Sequence, residues 1–285
     1  MNEQALKDRL KAIVEIEKRT FNEVWRRLIL ERLLVRLSNS GHSEKFIFKG
    51  GLLLSHYLEI GRETKDADFL VTQLDVERAN IEKAFREICA VAVGDGFSFS
   101  FSGMSLLDQP HMNYPGFRVS LNLKFGDKMK DRIQVDIGVG DVVDPKLESL
   151  ELYQYKGKPI FEGSVSLRVY PVETIFAEKL ETIISKGAAN SRMKDYHDLL
   201  LLCREKGLLK TPKLKEDVVK TFENRKTKLD LPIHFTADNY VLLQQLWAAH
   251  CRGLEKITGE LKLPEKIKEL VTEVNDWLIR NKISK

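Results

Sequence analysis

Cysteine is scarce: it stands only at Cys89, Cys203 and Cys251, far apart and without the close pairs that zinc sites use. The three read as buried thiols in apolar or helical surroundings. Long apolar runs are missing as well, since no stretch approaches the roughly 18 residues a membrane span needs. The opening MNEQALKDRLK carries charge where a signal peptide has its apolar stretch. The expectation is a cytoplasmic protein with no membrane partner. There is no internal repeat and no low-complexity segment. His197, between Tyr196 and Asp198, has no Ser or Cys nucleophile in a recognisable elbow to accompany it, so a triad hydrolase is poorly supported.

What is present describes a globular chain: 43% apolar and 31% charged residues over 285 positions, a length between one large domain and two of ordinary size, for which two lobes are the expectation. The formal net charge of +4 leaves acidic partners such as RNA open, although dispersed Lys and Arg on helices equally make a solvated surface.

Along the chain, Leu6, Leu10, Ile13 and Ile16, then Phe21, Val24, Leu28 and Leu33, keep the three-and-four spacing of two amphipathic helices. Phe46–Phe48, Gly50-Gly51 and Leu52–Leu58 read as strand, tight turn and helix. A strand over Phe69–Val71 and a helix over Ile81–Val91 follow. Alternating segments at Phe97–Phe101, Phe117–Phe125 and Ile133–Val139 extend the sheet, which looks complete by Asp144-Pro145. Val165–Val169 adds a short strand, and helical spacing then runs through Val172–Ile184 and Tyr196–Leu202 to Trp277. The fold class expected is α+β, a mixed sheet with flanking helices plus a mostly helical lobe. The division is placed at 1–165, an α/β lobe with N-terminal helices, and 166–285, a helical lobe that completes the cleft.

Three motifs carry chemistry in the first lobe. In Lys49-Gly50-Gly51, a turn without side chains lets backbone N–H groups approach a polyphosphate, and the helix behind it points its positive end the same way. Asp66-Ala67-Asp68 leads into an apolar strand, so carboxylates two apart share one face and could hold one or two magnesium ions. Asp136 sits between Val135 and Ile137 in a strand. If that strand lies beside the one carrying Asp68, three acids meet, and their repulsion becomes tolerable when a divalent cation neutralises it. The plain alternative is an edge-strand Asp facing water. Asp141 and Asp144 fall in the following turn, where Asp is ordinary.

In the second lobe, Lys179 lies inside an apolar helix, where it could serve as a point charge on phosphate or as half of a surface pair with a neighbouring Glu. Arg192, Lys194, Asp195 and Asp198 open another helix, with the two acids at i and i+3 on one face. An acid at a helix start is otherwise a cap or a dipole partner.

In order, Lys49-Gly50-Gly51, Arg62-x-Thr64-x-Asp66-x-Asp68, Glu178-Lys179-Leu180 and Arg192-x-Lys194-Asp195-x-x-Asp198-Leu199 resemble the four-motif pattern of the AbiEii/AbiGii toxin family, within the DNA polymerase β-like nucleotidyltransferase superfamily. The similarity runs from about residue 25 to the carboxyl end. It implies that Gly50 and Gly51 bind a nucleoside triphosphate together with Lys49, Arg62, Thr64, Arg192 and Lys194. It also implies that Asp66 and Asp68 hold Mg2+ or Mn2+, with Asp136 added as third ligand and acid–base group, that Lys179 contacts phosphate and that Asp195 completes the site. Lys179 and Asp195 are expected to face the triad. Two positions depart from the pattern: Leu52 stands where a hydroxyl residue is common, and Lys65 where an acid is common.

By the same resemblance the chain acts as the toxin of a toxin–antitoxin or phage-defence pair, with a cognate antitoxin and tRNA as acceptor. Stretches at Lys124, Lys128, Lys130 and Arg132 and at Arg225, Lys226 and Lys228 are the candidate RNA contacts. The rival readings are a binding module on the same fold that has lost turnover, which Leu52 favours, and a nucleotidyltransferase acting on a small-molecule antibiotic hydroxyl.

Overall fold

The structure is a computed structural model that describes residues 1–72, 77–107, 116–254 and 261–283. The chain forms two compact units, one of Met1–Tyr57 with Glu63–Tyr170, the other of Leu58–Arg62 with Pro171–Lys285.

The first unit opens with α1 (Glu3–Glu17) and α2 (Phe21–Ser38). Asn2 caps α1 by accepting from the Ala5 N–H at 2.9 Å. At α2, the Thr20 hydroxyl accepts from the Glu23 N–H while the Glu23 carboxylate accepts from the Thr20 N–H at 2.7 Å, so two otherwise orphaned donors are satisfied reciprocally. There follow β1 (Phe46–Lys49), α3 (Gly50–Tyr57), β2 (Asp66–Val71), α4 (Arg78–Ala90), β3 (Phe97–Leu107), β4 (Gly116–Phe125) and β5 (Met129–Gly138). Then come β6 (Lys146–Leu150), the two-residue strands β7 (Gln154–Tyr155) and β8 (Lys158–Pro159), and β9 (Val165–Val169).

Seven strands make one mixed sheet in the order β3-β4-β5-β2-β1-β9-β6, with β2 parallel to β5 and antiparallel to β1. The sheet does not end before Asp144: β6 pairs antiparallel with β9 as an edge strand. Its sequence, Lys-Leu-Glu-Ser-Leu, is mostly exposed, and an edge strand buries too little on either face to show a clear alternation.

The core on one side of the sheet is aromatic. Phe46 meets Phe69 and Phe85 edge-on, and Phe97 stacks on Trp25 and Phe125. Within this core α2 buries Arg32 and Arg36, which Asp95 binds through contacts of 2.8 Å each. The two guanidiniums share this one buried carboxylate, and Glu31, 3.5 Å from Arg32, is the second acid beside them.

The second unit is helical among its described residues: α5 (Val172–Lys186), α6 (Met193–Arg204), α7 (Thr211–Asn224), α8 (Ala237–Leu254) and α9 (Ile267–Arg280). Leu270, Val271, Val274 and Leu278 of α9 are buried, the three-and-four stripe of an amphipathic helix. Of the cysteines, Cys203 is buried, whereas Cys89 and Cys251 are only partly so. Among the described residues no helix is long and apolar enough to cross a membrane.

Candidate active site

β2 is short, and its register is pinned by Ala67 and Phe69, both turned into the core. Because side chains alternate along a strand, Asp66 and Asp68 must share the opposite face. Asp68 lies opposite Lys49 of β1 on one side and opposite Asp136 of β5 on the other, and Asp136 lies opposite Arg118 of β4. Partners in register project to the same face of a sheet. One row across four strands therefore reads Lys49, Asp68, Asp136, Arg118, with Asp66 two residues along β2 opposite Gln134. β5 is an interior strand flanked by β4 and β2, so Asp136 is not an edge residue.

Each end of the row is held by a base. The Arg118 fork grips Asp136, with Nε donating to Oδ1 and Nη2 to Oδ2, both at 2.7 Å. This hydrogen bond, with the fields of Asp136, Asp66 and Asp68, raises the guanidinium's pKa above its ordinary value against a smaller opposing effect of burial. All three acids are thus felt at one point. Lys49 donates to Asp141 at 3.0 Å and to the Tyr170 hydroxyl at 3.2 Å, and lies 4.5 Å from the centre of that ring. Arg118, Asp141 and Tyr170 were not among the residues expected from sequence, and Asp141 had been set aside as an ordinary turn acid. Arg118 was recoverable: counting outward from the Phe125–Met129 end of the β4–β5 hairpin brings it opposite Asp136.

Gly50 opens α3 with φ of +79°, and a side chain there would run into the Asp68 carboxylate. Both the backbone angle and the close approach exclude other residues. Gly51 does not share the positive φ. Thr64 Oγ1 is buried with no hydrogen-bond partner among the described residues, a state that an outside partner would relieve. Leu52 is buried and has no polar group to offer. The donors at Asp66 and Asp68, partly exposed oxygens beside a backbone turn, suit a hard divalent cation that keeps water and phosphate among its ligands. Among the described residues no three His, Cys, Asp or Glu side chains are gathered tightly enough to hold a metal ion.

The motif residues of the second unit form a different kind of cluster. Asp198 on α6, with no exposed surface, accepts from Arg62 Nε at 2.8 Å and Nη2 at 2.6 Å. Lys179 of α5 lies 2.7 Å from Asp198 and 3.0 Å from Asp195, and Arg192 donates to Asp195 at 2.9 Å. Burial alone would raise the pKa of Asp198, but Lys179 and Arg62 overcome it and hold this carboxyl far below its usual range. Asp195 is lowered in the same way, mainly by Lys179 and then Arg192. Lys179 is raised, the two acids outweighing desolvation. The i, i+3 spacing placed Asp195 and Asp198 together, but the hub is Asp198, not Asp195. Lys194 is exposed on α6. Lys179 is no surface partner of the neighbouring Glu residues: Glu178 and Glu181 bind Arg225, at 3.2 and 2.9 Å. Arg225 is therefore tied into the helical unit, and the second basic stretch loses its first member.

The family model for the nucleotidyl transferase AbiEii toxin of type IV toxin–antitoxin systems matches residues 32–272. No curated protein sequence matches the chain. Among solved structures, the nucleotidyltransferase toxin MenT4 from Mycobacterium tuberculosis H37Rv is similar with a TM-score of 0.54 at 17% identity, over 96% of this chain and 90% of that one. JHP933 from Helicobacter pylori is similar with a TM-score of 0.45 at 13% identity, over 93% of this chain and 94% of that one. The family match spans most of the sequence and includes the Gly50 turn, the β2 acids and the Lys179–Asp198 motifs, and the chain belongs to the AbiEii nucleotidyltransferase toxin family.

Proposed function

We propose that the chain moves a nucleoside monophosphate from a nucleoside triphosphate to an acceptor hydroxyl of tRNA, with Mg2+ or Mn2+ at Asp66 and Asp68, and acts as the toxin of a toxin–antitoxin pair. The observation that carries the reading is the row on the first unit's sheet, where Asp68 is in register with Asp136 and the Gly50 backbone packs against Asp68. When bound, the cation supplies charge neutralisation at the triphosphate and lowers the pKa of the acceptor hydroxyl.

The chain's own groups supply the rest. Gly50 and Gly51 bring the N-terminus of α3 close to phosphate, where oriented N–H groups favour anions. Thr64 Oγ1 offers a hydroxyl whose bonding capacity is unspent. Lys49, held by Asp141 and Tyr170, keeps a positive charge beside Asp68. Asp136, once free of Arg118, accepts the acceptor proton or joins Asp66 and Asp68 in holding the cation. Arg62, Lys179, Arg192 and Lys194 are assigned to the triphosphate and Asp195 to their positioning. Lys124 and Lys130 are cross-strand neighbours, and Arg132 faces Asn122, on the same face as the acids. These exposed side chains are the proposed contacts to RNA phosphates, together with Lys128 on the intervening turn.

The test is incubation of the pure protein with magnesium, each labelled nucleoside triphosphate and total RNA. The expected outcome is label on tRNA with the wild type and none with Asp68→Asn. Label that appears on a small-molecule hydroxyl and never on RNA replaces the acceptor, and no transfer to any acceptor leaves the binding-module reading.

A further inference from the structure

We propose that Arg118 is a built-in counter-ion that withholds Asp136 from the metal site until a divalent cation or a bound triphosphate displaces it, so that the centre is assembled only when loaded. The inference rests on the metal reading of Asp66 and Asp68.

Three acids on one face of adjacent strands repel one another, and something positive must sit among them. On Asp136 that positive group is the Arg118 guanidinium. Its planar fork matches a carboxylate, and both Asp136 oxygens are engaged at 2.7 Å, the strongest geometry available to that pair. A carboxylate so engaged has little to give a hard cation. Lys49, at the other end of the row, is drawn toward Asp141 and Tyr170. At the Asp136 end of the row the contact is a closed bidentate fork.

Exposure fits a contact that can open. The Arg118 side chain is 35% accessible and Asp136 22%, unlike the buried Asp95 cluster, where the Arg32, Arg36 and Asp95 side chains are at most 3% accessible. A guanidinium that swings out loses one bidentate pair and meets water or an oxyanion, at modest cost for a solvated arginine. On this reading Asp66 and Asp68 bind a first cation whatever Arg118 does, while engagement of Asp136 competes with it. Arg118 is a positioning residue that sets when the third carboxylate is available.

The experiment is a calorimetric Mn2+ titration, cross-checked by the paramagnetic resonance of free Mn2+, on full-length wild type, Arg118→Ala, Arg118→Lys, Asp136→Asn and the double variant Arg118→Ala/Asp136→Asn. Arg118→Ala should bind Mn2+ about tenfold more tightly, or show a second binding event the wild type lacks, which is the loss of one charge-assisted competitor. Arg118→Lys, which keeps the charge without the fork, should fall between, and it guards against loss of folding in the alanine variant. The gain should vanish in the double variant. An unchanged or weaker isotherm in both Arg118 variants overturns the proposal. Asp68→Asn separates it from the reading beneath it. If that variant keeps wild-type Mn2+ binding, the metal assignment itself fails. If it loses binding while Arg118→Ala gains nothing, only the role of Arg118 fails.

Discussion

Two charged clusters carry the sequence motifs, and they solve the problem of proximity in opposite ways. The row on the sheet gathers Asp66, Asp68 and Asp136 on a half-open face, with Lys49 opposite Asp68 and the Arg118 guanidinium closed on Asp136. The cluster around Asp198 alternates signs in a buried setting, with Arg62, Lys179 and Arg192 set against Asp195 and Asp198. A buried network of opposed charges is costly to disturb, while carboxylates crowded on an accessible face repel one another. The proposed metal chemistry draws on the first, and the stability of the helical unit draws on the second.

The largest effect that would sharpen this contrast is on transfer. Asp68→Asn should lower the rate of nucleotide transfer at least about a thousandfold, since a metal ligand carries several kcal/mol of transition-state stabilisation. Its melting midpoint without metal should stay level or rise, because one repulsion is gone. A variant that keeps full activity would remove Asp68 from the centre. In the other cluster the balance tips the opposite way. Arg62→Met strips the fully buried Asp198 of its bidentate partner and should cost about 3–5 kcal/mol of stability, read by denaturant unfolding. A loss below about 1 kcal/mol would mean that Asp198 finds water or a substitute partner.

Acid should separate the clusters too. Asp198 and Asp195 titrate lower in the folded chain than unfolded, so the folded state binds fewer protons. The stability they contribute is complete above the unfolded carboxyl value of about 3.9 and is lost as pH falls through the lowered folded values. Melting midpoints from pH 7 to pH 3 should drop on the acid side in the wild type and less steeply in Arg62→Met. Equal acid limbs would contradict the assignment.

Much of this was legible in the residues. The strand–turn–helix at Lys49-Gly50-Gly51 and the paired acids of β2 follow from spacing alone, while Asp136 between two β-branched residues left an interior strand and a water-facing edge strand both open. What sequence could not supply was the partner of each charge. Asp141 looks like any turn acid until the chain closes and puts it on Lys49. Asp198 looks secondary to Asp195 until Arg62, 136 positions earlier, is seen to bind it. Such pairs are set by tertiary closure, which neither periodicity nor composition encodes. Edge strand β6 was missed for a different reason, its weak one-sided burial.

Smaller effects test finer points of the comparison. Gly50→Ala forces a side chain into the left-handed region and against Asp68. It should cost about 1–2 kcal/mol and reduce nucleotide affinity along with it, and a neutral result in both assays would free the turn from its assigned part. Charge reversal of Lys130 or Arg132 should each reduce the salt dependence of tRNA binding by about one phosphate contact. Unchanged slopes would move RNA off this face.

The central claim, that the β2 acids and the Gly50 turn bind a metal–triphosphate, is tested most directly by the shift in melting midpoint when a magnesium–nucleoside triphosphate is added. At about a hundred times the dissociation constant the wild type should gain about 2.7 kcal/mol, and Asp68→Asn should gain almost nothing. An equal gain in both proteins, or none in the wild type with any of the four triphosphates, would contradict the account.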